Sequence, residues 1–323
     1  MGSDVFFIVN LVAAAFFIGL VGRNDGAPLV ALAQQTSRGS GLWAPVLVVA
    51  ALPILPLLGV RGVAESLEAL MFGVYFSDQA RFSLLLAVVI TIALSAVLAV
   101  PNSITLALVG ALVGVSLAND ASINGEIVLR VLLLAAIAPI LAMLLAWMLG
   151  SLPLRLAPGR APRVLSILRK IAFAALALVY SANDGQKVLF IATFTTGISL
   201  AAAAKNPVLI AVSTTFFLIG VLAGLRRSGQ ALRQGSVSPG PIQALWAQLS
   251  AVTVLSIGTA LGAPLSMTQS IVGAVVGSGL TRGWRSIRWM PVARIAAAWL
   301  WSLPISAFTA WFLTSLLTVF SRG

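Results

Sequence analysis

Apolar runs of membrane-spanning length recur from one end of this chain to the other, each separated from the next by a few polar or basic residues. In the first half the runs cover residues 5–22, 28–35, 42–60, 82–100, 103–118 and 127–150. In the second half they cover 171–182, 188–204, 207–225, 242–261, 266–280 and 292–320. About 20 apolar residues carry a helix across a hydrocarbon layer of roughly 30 Å. A helix can cross because it satisfies its own backbone groups. The pattern therefore predicts an all-α polytopic membrane protein with about 10–12 transmembrane segments.

The same tripeptide interrupts the first run of each half. Asn24-Asp25-Gly26 and Asn183-Asp184-Gly185 lie 159 positions apart. Only eight carboxylates occur in 323 residues, and these two are flanked by apolar sequence on both sides. An Asp at membrane depth costs roughly 2.5–3.5 kcal/mol on insertion scales, so it implies a task or a partner. A second match strengthens the duplication. Val109-Gly-Ala-Leu-Val-Gly-Val-Ser-Leu117 aligns with Val272-Gly-Ala-Val-Val-Gly-Ser-Gly-Leu280 at an offset of 163, and Pro101 aligns with Pro264. Glycines four apart also serve as a plain packing face between membrane helices. Two motifs in the same order favour a repeated unit. The predicted organisation is a first repeat over 1–150, a basic linker over 151–170 and a second repeat over 171–323.

Composition agrees. The chain is 60% hydrophobic and 9% charged with a mean hydropathy of +1.06, more apolar surface than a soluble core absorbs. The start of the chain reads as a first membrane helix, without the basic flank and cleavage site of a signal peptide. The net charge of +12 resides in short loops between apolar runs, the cytoplasmic-loop bias of membrane proteins, which argues against a nucleic-acid partner. With no Cys, disulfides and thiolate sites are excluded, and with no His the usual proton shuttle and metal ligand are missing. No Walker-type loop is present, which argues against an ATP-driven pump acting alone.

If each Asn-Asp-Gly interrupts a single crossing, each half crosses five times and the two halves are inverted. The linker basics Arg155, Arg160, Arg163, Arg169 and Lys170 then fall on the cytoplasmic side. So do Arg226, Arg227 and Arg233, in what reads as a mobile loop, and Arg282, Arg285, Arg288 and Arg294. Both termini, the Asp120/Glu126 loop and the mixed loop 61–81 fall outside, with Arg130 a mild exception. The expected location is the plasma (inner) membrane. Trp284, Trp289, Trp299, Trp301 and Trp311 read as an aromatic belt or a dimer surface.

Inverted repeats with broken helices and mid-depth polar residues are the pattern of secondary transporters. Asp25 and Asp184, with Asn24 and Asn183, suit a small hard cation such as Na⁺, while helix N-termini suit an anion. Ser103 and Thr105, and Ser266 and Thr268, open the two Gly-rich helices and could gather donors around an oxyanion. They could equally be ordinary N-caps. Arg23 and Lys187 are the basic residues beside the Asn-Asp pairs. Each can bind the oxyanion, pair with its neighbouring Asp or snorkel to an interface.

These residues resemble a known family. Ser181-Ala-Asn-Asp-Gly-Gln-Lys187 is similar to the Gly-Ala-Asn-Asp-Ala-Gln-Lys motif of the PiT-type inorganic phosphate transporters, and Gly22-Arg-Asn-Asp-Gly-Ala-Pro28 to their first-half motif. Pro264-Leu-Ser-Met-Thr-Gln-Ser-Ile-Val-Gly273 and Pro101-Asn-Ser-Ile-Thr-Leu-Ala-Leu-Val-Gly110 resemble their Ser/Thr segments. The resemblance implies a phosphate importer coupled to Na⁺ or H⁺, without other cofactors, with inverted repeats and a homodimeric state. It assigns Asn24, Asp25, Asn183, Asp184, Gln186, Ser103, Thr105, Ser266 and Thr268 to the substrate and cation sites. The chain departs from the pattern at Leu106 and Gln269, where the family carries His, at Ile104 and Met267, where it carries hydroxyls, and at Pro28. These changes leave sulfate or another oxyanion open as the substrate. An anion channel and a membrane enzyme built on the Asp pair are the readings from other classes.

Overall fold

The computed structural model describes residues 2–36, 43–71, 76–98, 100, 102–152, 161–234 and 240–322. The first half holds α1 (Gly2–Val21), α2 (Ala27–Thr36), α3 (Trp43–Ala51), α4 (Ile54–Leu57) and α5 (Gly62–Ala69), followed by α6 (Asp78–Val97), α7 (Ile104–Ala118) and α8 (Gly125–Ser151). The second holds α9 (Ala161–Tyr180), α10 (Gln186–Thr196), α11 (Leu200–Ala203) and α12 (Pro207–Gln234), followed by α13 (Pro241–Ala260), α14 (Met267–Leu280) and α15 (Trp289–Arg322). Among the described residues seven spans are long and apolar enough to cross a membrane, and the pair Trp43–Leu57 and Gly62–Ala69, bent by 69°, makes an eighth if it counts as one broken span. The remaining two apolar runs of the sequence are α7 and α14, of 15 and 14 residues. At 1.5 Å per residue they are roughly 21–23 Å long, shorter than the hydrocarbon layer.

The Asn-Asp-Gly breaks differ from expectation. Neither helix is broken: each continues through a five-residue π turn, Gly22–Gly26 and Ser181–Gly185, with helical backbone on both sides. The Ala27 N–H donates to the Gly22 carbonyl five residues back. A π turn widens the helix by one residue and leaves its backbone bonds remade rather than open, which is cheaper at membrane depth than a gap. Three predicted loops also contain helix. Residues 61–81 include α5, Arg226, Arg227 and Arg233 ride on α12, and Arg163, Arg169 and Lys170 ride on α9. Arg155, Arg160, Pro101 and residues 235–239 lie outside the described residues.

Packing is reciprocal between the halves. Helix α7 packs on α15 and α14 on α8, α6 meets α1, α7 and α15, and α13 meets α9, α14 and α8. Glycines set the close approaches. A Cβ on Gly110 or Gly114 would stand 2.4 Å or 2.0 Å from the carbonyl oxygens of Leu303 and Ala307. On Gly273 or Gly277 it would stand 2.2 Å or 1.9 Å from those of Pro139 and Met143. Both helices therefore use their glycines to touch backbone, the small-residue mode of membrane helix packing. The outer faces carry the apolar surface that lipid covers: on α15, Leu300, Trp301 and Phe308 are exposed, as is Trp311.

Candidate oxyanion and cation site

The site forms where the N-termini of α7 and α14 meet the two π turns. Ser103 and Ser266 are the N-caps. Ser103 Oγ accepts from the Leu106 N–H at 3.3 Å, and Ser266 Oγ from the Gln269 N–H at 3.4 Å. The cap reading is thus correct, and it leaves both helix N-termini in the centre. There the halves are cross-tied. Thr105 donates to the Leu265 carbonyl at 3.1 Å, and Thr268 donates to the Asn102 carbonyl at 3.0 Å. The Asn side chains reach the same two carbonyls, Asn24 Nδ2 to Asn102 O at 3.0 Å and Asn183 Nδ2 to Leu265 O at 2.8 Å. Each carbonyl just ahead of a capped helix is therefore held by the Asn of its own half and the Thr of the other.

The carboxylates lie beside this junction. Asp25 Oδ1 accepts from Asn24 Nδ2 at 2.8 Å. Asp184 Oδ1 accepts from Lys187 Nζ at 2.8 Å, and the same ammonium donates to Leu265 O at 2.6 Å. The side chains of this ion pair are 0% and 1% exposed. Lys187 thus takes the local ion-pair role, with two of its three donors used. Asp25, Asp184 and Lys187 lie within electrostatic reach of one another. Asp25, Ser103, Thr105, Asn183, Asp184, Ser266 and Thr268 are all buried, and Asn24 is half-buried. Arg23 is half-buried with its stem against Gly224 of α12, and it makes no ion pair among the described residues.

Gln186 belongs to a different contact. Its Oε1 accepts from the Val63 and Ala64 N–H groups at 2.8 Å and 3.1 Å, capping α5, and its Nε2 bonds the Ala182 carbonyl. Both ends of the side chain serve backbone. Gln186→Leu would leave two buried donors at the start of α5 unpaired, costing about 2 kcal/mol. The expected outcome is faster hydrogen exchange over Gly62–Ala69 than in the parent protein.

The structure adds residues that the motifs did not mark. Asn102 ties the junction together: its Oδ1 accepts from the Ser103 N–H at 2.7 Å and from the Ser302 hydroxyl of α15. Tyr180 is fully buried one turn ahead of Asp184, within electrostatic reach of both carboxylates. Among the described residues its hydroxyl has no partner, and neither do the buried atoms Asn183 Oδ1, Asp184 Oδ2 and Gln269 Oε1. Buried polar atoms are normally paired, and these four are not paired by protein. Tyr180 could have been found as one of only two tyrosines, a helical turn from a motif Asp. An apolar cleft opens beside Gly185, lined by Leu52, Pro56, Val188 and Leu189, and offers no comparable polar set.

The phosphate transporter family profile matches residues 154–310. A protein of Mycobacterium leprae named "Probable low-affinity inorganic phosphate transporter" is 29% identical over 96% of this chain and 79% of its own length. A protein of the same name in Rhizobium meliloti is 26% identical over 93% of each chain. The solved structure named "The sodium-dependent phosphate transporter" covers 98% of this chain and 99% of its own, with a TM-score of 0.79 at 16% identity, and so shares the fold. With matches spanning nearly its full length and the four motifs in order, the chain is similar in sequence to proteins named as inorganic phosphate transporters, and its second half matches the phosphate transporter family profile.

Proposed function

We propose that this chain is a secondary active transporter of inorganic phosphate, coupled to Na⁺ or H⁺ and working by alternating access. The observation that carries this reading is the junction of two capped helix N-termini with two carboxylates in a buried, cross-tied centre. N-termini and hydroxyls supply donors for an oxyanion, and carboxylates and carbonyls supply ligands for a cation. The names of the relatives point to phosphate, and the name of the fold neighbour points to Na⁺. A transporter rather than an enzyme is what these names describe.

Phosphate is favoured over sulfate by the unpartnered atoms. Asp184 Oδ2 and Asn183 Oδ1 are buried acceptors with no donor, and hydrogen phosphate brings a proton for one of them while sulfate brings none. Ser103, Thr105, Ser266 and Thr268 are the substrate-side groups, and Asn24, Asp25, Asn183 and Asp184 the cation-side groups, with Lys187 paired to Asp184. The reciprocal packing supports two repeats of inverted topology; the basic residues of the linker support a cytoplasmic linker with both termini outside, and the family resemblance supports a homodimer in the plasma membrane.

The test is uptake of labelled phosphate into proteoliposomes under an inward Na⁺ gradient, an inward H⁺ gradient or neither. Uptake that needs one gradient and resists excess sulfate is expected. Sulfate uptake without phosphate uptake would move the substrate, and gradient-independent flux would make the protein a channel.

A further inference from the structure

The two Asn-Asp turns match in backbone and in amide bonding, but not in charge. At the offset of 159, Asn24 maps to Asn183, Asp25 to Asp184 and Pro28 to Lys187. The position three residues after the carboxylate thus carries an ammonium in one half and an uncharged ring in the other. That ammonium lies between Asp184 Oδ1 at 2.8 Å and the Leu265 carbonyl at 2.6 Å, almost wholly buried. One carboxylate oxygen and one main-chain carbonyl oxygen are ligands of the kind that coupling cations take in transporters, since hard cations prefer oxygen. Lys187 meets them with its own nitrogen.

Asp25 has no such internal cation. Its Oδ1 accepts from the neutral Asn24 amide, and neither ion pair among the described residues includes it. Arg23, two residues ahead of it in sequence, runs its stem along Gly224 instead.

We propose that Lys187 is a tethered cation that holds the cation position at Asp184, so that one Na⁺, bound at Asp25, accompanies each phosphate. This rests on the reading of the chain as a cation-coupled carrier and narrows it to a single exchangeable ion. A covalently attached ammonium competes with dissolved Na⁺ at a high effective concentration whatever the gradient, whereas no cation is bonded to Asp25 among the described residues.

The experiment is equilibrium binding of radioactive Na⁺ to the purified full chain in detergent, counted per chain. One Na⁺ is expected for the parent protein, none for Asp25→Asn and two for Lys187→Gln. Because Lys187→Gln leaves Asp184 buried and unpaired, the neutral pair Asp184→Asn with Lys187→Met provides a second arm, and it should still bind one. Two Na⁺ or none in the parent, one in a folded Lys187→Gln protein, retention by Asp25→Asn, or loss in the neutral pair would each overturn the proposal. Phosphate uptake is scored separately. A chain that binds one Na⁺ at Asp25 but imports no phosphate keeps this assignment and loses the transport reading. Uptake with two Na⁺ per phosphate does the reverse.

Discussion

Gly277→Ala is expected to abolish the folded protein. A Cβ at this position stands 1.9 Å from the Met143 carbonyl oxygen and 2.7 Å from its carbonyl carbon. The obstacle is main chain in the middle of α8, so no rotamer change relieves it. Helices α8 and α14 must part along the contact that buries both glycines. Overpacking of side chains alone costs about 1–3 kcal/mol, and a backbone clash in a contact this close exceeds that range. The measurement is the monodisperse fraction of detergent-extracted protein by size-exclusion chromatography. Near-complete loss of the folded peak is expected, with Gly114→Ala behaving alike through Ala307. Gly125→Ala is the control: nothing lies within 4 Å of its Cβ, and α8 should form as before. A normal peak for Gly277→Ala would mean that the two helices do not touch as described.

Asp25→Asn is expected to leave the protein folded and remove coupled phosphate uptake, to below about one hundredth of the parent rate, a loss of some 2.7 kcal/mol or more in the transport cycle. Asn is close to isosteric, and Asp25 has no basic partner that the change would strand. Asp184→Asn should differ in kind. It leaves the Lys187 ammonium buried with a carbonyl as its remaining partner, and removing one member of a buried ion pair costs about 3–5 kcal/mol. Melting temperature separates the two: near the parent value for Asp25→Asn, clearly lower for Asp184→Asn. Uptake that still follows the gradient in a folded Asp25→Asn protein would remove Asp25 from the coupling site.

Much of this architecture was legible because hydrocarbon is a demanding solvent. Every apolar run became a helix, since no other local structure satisfies its own backbone there. The Asn-Asp pairs and the Ser/Thr caps stood out because polar residues inside such runs are costly. The π turns were not legible, because a local sequence such as Gly22–Gly26 suits a break as well as a widened turn. Helix α5 was hidden for a related reason: its polar start is held by Gln186, more than 120 positions away. The motif residue Gln186 thus proved to be a cap, while Asn102 and Tyr180, which no motif marked as ligands, sit at the junction. Main-chain carbonyls such as Leu265 O have no sequence signature at all, yet three side chains converge on that one.

The glycine contacts bear on how such a molecule moves. Gly110 and Gly114 fasten α7 to α15, Gly273 and Gly277 fasten α14 to α8, Gly220 fastens α12 to α1, and Gly185 meets Leu52. Each of these seams joins a piece from before residue 152 to a piece from after residue 160. The two look-alike stretches are woven through one another and cannot swing apart as wholes. On the proposed reading as an alternating-access carrier, the body that shifts is expected to be a hybrid, carrying α7 with α15, α14 with α8, or α12 with α1. The repeats read from the sequence would divide the chain one way, and its glycine contacts divide it another.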